Sequence, residues 1–184
     1  MSLVAQAQAL QAEAQTLYTQ LDLATAFPWP PVLIGSALSG LMVDRDLDIM
    51  FDAPNATAPT ILKGLTTVAT RVHLLTADFR DERSDRRPTP ALTDERFYAV
   101  LHTPTWKIDL TFWLHVVDRP HVADAHRLRN ATADQRLQIL HLKATTPNRD
   151  SSAIYRAVLS TRSSVSQKKS AGRPATPPDG RHSL

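Results

Sequence analysis

Gly35-Ser36-Ala37-Leu38-Ser39-Gly40-Leu41-Met42-Val43-Asp44-Arg45-Asp46-Leu47-Asp48 is the stretch on which the reading of this chain turns. It follows Val32-Leu33-Ile34, a short apolar run suited to a buried strand. Glycine is scarce, and Gly35 and Gly40 flank this one turn. A residue without Cβ at 35 permits tight turning and the close approach of a phosphate, and Ser36 adds a hydroxyl and an amide. Ten residues beyond Ser36 begins Asp46-Leu47-Asp48-Ile49-Met50-Phe51-Asp52, where acids alternate with apolar residues. That is the period of a strand with one buried face and one carboxylate-lined face. Acids at i and i+2 project to the same side, about 6.6 Å apart along the backbone. At that spacing their carboxylates can share divalent cations.

Two further strand-like segments lie downstream. Arg96 to His102 and Trp106 to Trp113 are separated by a Thr-Pro-Thr turn and form an expected β-hairpin. In the second, Ile108, Leu110 and Phe112 share one face, while Lys107, Asp109 and Thr111 share the other. Asp109 is therefore a third acid on a polar strand face, able to complete a hard-oxygen site for Mg²⁺.

The flanking pattern is helical. Leu3, Ala7, Leu10, Ala14, Leu17, Leu21 and Ala24 alternate spacings of four and three, an amphipathic helix ended by Pro28, Pro30 and Pro31. A helix is expected from about Thr57 to Arg71, then a strand at Val72 to Thr76, with the polar run Asp78 to Arg87 as a loop or exposed helix. Thr132 with Gln135 forms a capping box before a helix at about 133–145, and a last helix spans about 151–160. These elements describe an α/β (α+β) fold, a mixed and mainly antiparallel sheet flanked by helices. The expected domain is 1–160, with its core at about 25–115 and C-terminal helices at about 131–160.

Composition narrows the function. The 184 residues suit one domain of ordinary size. Apolar residues at 42% and charged residues at 21% exclude collagen-like, coiled-coil or wholly disordered chains. There is no cysteine, hence no disulfide framework, thiolate zinc site or thiol nucleophile. A reducing cytoplasm is the expected setting, and no run of apolar residues is long enough for a membrane span. The net charge is +3, but residues 161–184 alone carry +4 and the first 160 carry −1. The body is thus no basic nucleic-acid surface, and nucleic acid is not an expected partner. Residues 161–184, rich in Ser, Pro and basic residues, are expected to be a disordered basic tail.

The block from Gly35 to Asp48 resembles the signature of the polymerase-beta-type nucleotidyltransferase superfamily. That signature is a strand ending in Gly-Ser, a second Gly five residues later, and an acid-x-acid strand about ten residues onward. Lys107-Ile108-Asp109-Leu110-Thr111-Phe112 is similar to the family's later strand bearing the third acid. The chain departs from the pattern at Leu38-Ser39, where Ala-Arg is common, and at Arg45, where Ser often stands. The resemblance implies transfer of a nucleoside monophosphate from a nucleoside triphosphate, ATP being the expected one, to a hydroxyl of a small molecule or protein. It implies Asp46, Asp48 and Asp109 as catalytic residues holding two Mg²⁺ ions, with Gly35 and Ser36 on the triphosphate.

Weaker candidates are Lys107, which could meet a phosphate or pair with an acid, and Lys143, which could line the triphosphate pocket or a solvated face. Two other readings stay open. One is an antitoxin-type nucleotidyltransferase acting on a partner protein, and the other a non-catalytic nucleotide-binding or interaction module.

Overall fold

A computed structural model describes residues 1–88, 95–115 and 120–160, the side chains of 120 and 121 excepted. Helix α1 (Leu3–Leu21) starts at Ser2, whose hydroxyl accepts from the Ala5 amide at 3.2 Å. It ends one turn earlier than the apolar periodicity suggests, because Asp22 takes a left-handed conformation and starts the short α2 (Leu23–Ala26). Strand β1 (Pro31–Leu33) then leads through α3 (Gly35–Ser39) into β2 (Asp46–Asp52). Helix α4 (Ala58–Ala69) is capped by the Thr57 hydroxyl and precedes β3 (Thr76–Glu82). The hairpin is present as β4 (Arg96–His102) and β5 (Lys107–Trp113). Helices α5 (Pro120–Arg129), α6 (Ala133–Thr145) and α7 (Ser151–Ser160) follow, α6 with the expected capping box. Residues 161–184, expected as a tail, lie outside the described residues.

The five strands among the described residues lie in the order β1-β2-β5-β4-β3, with β2 and β5 parallel and the other pairs antiparallel. The sheet is therefore mixed and mainly antiparallel. Strand parity decides its two faces. Leu47, Ile49 and Phe51 of β2, Ile108, Leu110 and Phe112 of β5, and Phe97, Ala99 and Leu101 of β4 are fully buried on one side. They pack in one core with Leu17 and Leu21 of α1 and Ile61, Leu65 and Val68 of α4. At its centre Phe51 and Phe112, neighbours in the β2–β5 register, stack with ring centroids 4.5 Å apart. A second apolar cluster joins Ala7 of α1, Leu41, Leu128 of α5, Ile139 and Leu140 of α6, and Val158 of α7. It anchors the last three helices beside the turn at Gly35–Gly40.

One segment differs from the expectation. The strand expected at Val72 to Thr76 instead begins at Thr76, and Asp78 to Glu82, expected as loop or exposed helix, belongs to it. Only Ser84–Arg86 of the polar run is a short helical turn. Backbone pairing with β4 makes the strand regardless of its polar side chains. Its charges are neutralised locally, Asp78 by Arg80, Asp81 by Arg83 and Arg86, and Glu82 by Arg96. A charged edge strand of this kind also discourages pairing with another chain.

Candidate active site

The open face of the sheet carries the acids. The parallel register sets Asp48 directly beside Asp109, and Asp46 directly beside Lys107. Ligand oxygens of Asp46, Asp48 and Asp109 all lie within 4.8 Å of one another. The structure thus brings together the three carboxylates that the sequence placed on two separate strands.

Gly35 makes this convergence possible. Its φ of +65° is disfavoured for residues with a side chain, and a Cβ there would overlap the Asp48 carboxylate. The Ile34 amide donates to the Asp48 carbonyl at 3.0 Å, which clamps the turn to β2. Gly40, at φ +72°, closes α3 with its amide on the Ser36 carbonyl. Gly35 and Ser36 therefore line the same cavity as the triad, a space of about 360 Å³.

Electrostatically the triad is strained. Burial, followed by the charges of Asp46 and Asp109, pushes the Asp48 carboxyl up to about 7. Asp46 is also raised, chiefly by burial, with Lys107 opposing the rise. Lys107 reaches across the face, its ammonium 2.7 Å from Asp109 Oδ2 and 3.3 Å from Asp46 Oδ1. Burial works against its charge, yet the hydrogen bond to Asp109 and the two carboxylates hold its pKa above the ordinary lysine value. Of its two open readings, Lys107 takes the pairing with acids.

Lys143 departs from the solvated-face reading. Its side chain is only 4% exposed, and its ammonium donates to the Leu41 carbonyl at 2.7 Å and to the Tyr155 hydroxyl at 3.3 Å. Burial lowers its pKa to about 8, against the opposing charges of Asp48 and Asp46. It lines the cavity with Tyr155 of α7. Helical spacing alone could not show this, because the residues that bury it come from the Leu41 loop and from α7. Arg136, two turns earlier, is spent on structure: its guanidinium donates to the carbonyls of Ser39, Gly40 and Leu128. The sequence offered no sign of Tyr98, which lines the cavity and whose pKa is raised by burial and by the Asp109 charge beside it.

The donor set suits a divalent cation. Three carboxylates supply hard oxygens from a rigid sheet, and Asp109 Oδ1 is buried without a hydrogen-bond partner among the described residues. An orphaned, buried carboxylate oxygen is costly unless something positive meets it. Mg²⁺ is bound through such oxygens.

No protein-family model matches the chain, and none of the curated proteins does. Among solved structures the chain is similar to terminal uridylyl transferase 4 from Trypanosoma brucei with bound CTP, at TM-score 0.50 and 15% identity. That match covers 92% of this chain and 58% of the other. A chain of the GLD-2/RNP-8 complex also matches, at TM-score 0.47 and 16% identity, over 82% of this chain and 56% of that one. This chain thus spans little more than half the length of the solved structures it matches. No described helix is long and apolar enough to cross a membrane. The uridylyl transferase likeness is one of architecture: the chain has a nucleotidyltransferase-like fold, a mixed and mainly antiparallel sheet flanked by helices.

Proposed function

We propose that the protein is a nucleotidyltransferase that moves a nucleoside monophosphate from a nucleoside triphosphate onto a hydroxyl of a small molecule or a protein. The observation that carries this is the convergence of Asp46, Asp48 and Asp109 beside the Gly35-Ser36 turn in one cavity. Asp46, Asp48 and Asp109 would hold Mg²⁺, which when bound offsets charge on the triphosphate and favours an ionised acceptor hydroxyl. The amides and hydroxyl at Gly35 and Ser36 hold the β- and γ-phosphates. Lys143, on the helical wall of the cavity, adds a positive charge toward the same phosphates. Asp109, in the lining of the cavity, accepts the hydrogen bond of the acceptor hydroxyl and orients it toward the α-phosphorus. The acceptor oxygen bonds to that phosphorus, the bond to the bridging oxygen breaks, and pyrophosphate leaves. The acceptor's proton passes to Asp109 and then to water.

A cavity of about 360 Å³ with Tyr98 and Tyr155 in its wall suits a nucleotide. ATP is the proposed donor and the cytoplasm the proposed setting. The cytidine nucleotide bound to the uridylyl transferase keeps pyrimidine triphosphates on the test panel. The −1 charge of the first 160 residues, and the acid partners of Arg80, Arg83, Arg86 and Arg96, disfavour a nucleic-acid acceptor. One observation favours a second reading, the non-catalytic nucleotide-binding module: Lys107 already occupies part of the triad.

Incubation with each α-labelled triphosphate, Mg²⁺ and a cell extract separates these. Label on an acceptor with matching pyrophosphate release, lost in Asp48→Asn, is the expected result. Nucleotide binding with neither label transfer nor pyrophosphate would replace the enzyme by the module. Label on one protein would favour a partner-modifying, antitoxin-type enzyme over one acting on small molecules.

A further inference from the structure

We propose that Lys107 is a tethered counter-cation of the acid triad, holding its Asp46–Asp109 side against divalent metal until the ammonium is displaced. The inference rests on the reading of the triad as a metal site and adds a control element to it.

The β2–β5 register places Lys107 directly beside Asp46, and its own strand places it two residues from Asp109 on the same face. The lysine is therefore built into the site by backbone pairing. Its ammonium bridges Asp109 Oδ2 at 2.7 Å and Asp46 Oδ1 at 3.3 Å. A divalent cation taking those same oxygens would stand about 2.1 Å from each, inside the space that the ammonium fills. The two cations exclude each other there.

Lysine suits a removable plug. It is a point charge on a flexible four-carbon stem, without the planar fork that would lock an arginine onto two carboxylates. Its side chain is 39% exposed, so the ammonium has a way out to water. Asp109 is the more enclosed partner at 14% exposure, so the counter-charge is needed most where solvent supplies least. An incoming triphosphate brings negative charge that can receive the released ammonium. Metal alone should accordingly bind weakly, and metal with nucleotide more tightly.

The test is a titration of the full chain with Mn²⁺ alone, free Mn²⁺ being read by electron paramagnetic resonance. Lys107→Met is expected to bind Mn²⁺ about tenfold or more tightly than the wild type, since a fixed positive charge leaves the site. Lys107→Arg, which keeps the charge and adds the fork, should bind Mn²⁺ no more tightly than the wild type. Thermal melts supply a second readout: without metal Lys107→Met should melt lower than the wild type, and Mn²⁺ should close the gap. If Lys107→Met does not fold, Lys107→Gln carries the same expectation. Equal or weaker Mn²⁺ binding by a folded, uncharged variant overturns the proposal, and leaves nucleotidyl transfer standing if label transfer is observed. Absence of Mn²⁺ binding in every variant overturns both the plug and the metal site.

Discussion

Strands β2 and β3 are each seven residues long, and each turns acids toward the same open face of one sheet, Asp46 and Asp48 on β2, Asp78 and Glu82 on β3. Their fates diverge with position. β3 is an edge strand, and its acids are matched one by one with arginines, Asp78 by Arg80 and Glu82 by Arg96. β2 lies inside the sheet between β1 and β5, where its acids meet a third carboxylate and Lys107 bridges Asp46 to Asp109. The contrast teaches that acids on one open face become a candidate site where they converge with unmatched charge, as Asp46 and Asp48 do with Asp109, and not where each is met by its own arginine.

The sharpest way to break this contrast is to remove one acid from each strand. Asp48→Asn should lower label transfer by about 10³-fold, because a site built on three charges loses its donor set. Circular dichroism should show the fold retained. If Asp48→Asn unfolds the protein, or Asp78→Asn abolishes transfer as completely, the distinction between the strands fails.

A pH series sharpens the same point. The folded Asp48 carboxyl titrates at about 7, above its unfolded value, so the folded state binds the proton more tightly. Its contribution to stability is present below about pH 4 and is lost as pH rises to 7, a fall of up to about 4 kcal/mol without metal. Asp81 of β3 has the opposite sign. Its hydrogen bond to Arg83 lowers its pKa, so its small contribution is present at neutral pH and is lost on acidification. Denaturant melts of wild type and Asp48→Asn from pH 4 to 8 check this. The difference between them should grow with pH in favour of the variant, and a flat difference would refute it.

Gly35→Ala tests the backbone that separates the two regions. A methyl at φ +65°, pressed onto the Asp48 carboxylate, should cost about 2 kcal/mol and weaken transfer through displacement of Asp48. Thermal melts and the label assay read the two effects, and an unchanged melt would show that the turn tolerates a side chain. The smallest effect belongs to Asp78→Asn. An exposed pair on an edge strand is screened by water, so both stability and transfer should stay near wild type.

Local features of the chain are legible in its amino-acid sequence. Alternation in residues 46–52 and 107–113 sets which side chains share a face, because strand parity is a local property of the backbone. The same is true of Gly35 and of the Thr132–Gln135 cap, each recognisable from a few neighbouring residues. Other features depend on partners distant in sequence. That β2 pairs β5 in parallel, with Asp48 beside Asp109 and Lys107 beside Asp46, follows from sheet order, which no local pattern encodes. That Asp78 to Glu82 is a strand follows from the free edge of β4. That Lys143 is buried and turned into the cavity follows from α7 and the Leu41 loop closing over it. The sequence determined the inventory of charges and the faces they lie on, because those are set within a few residues. Tertiary structure alone decided which of those charges would lose water and which would find a partner, because desolvation and pairing arise only when remote segments meet.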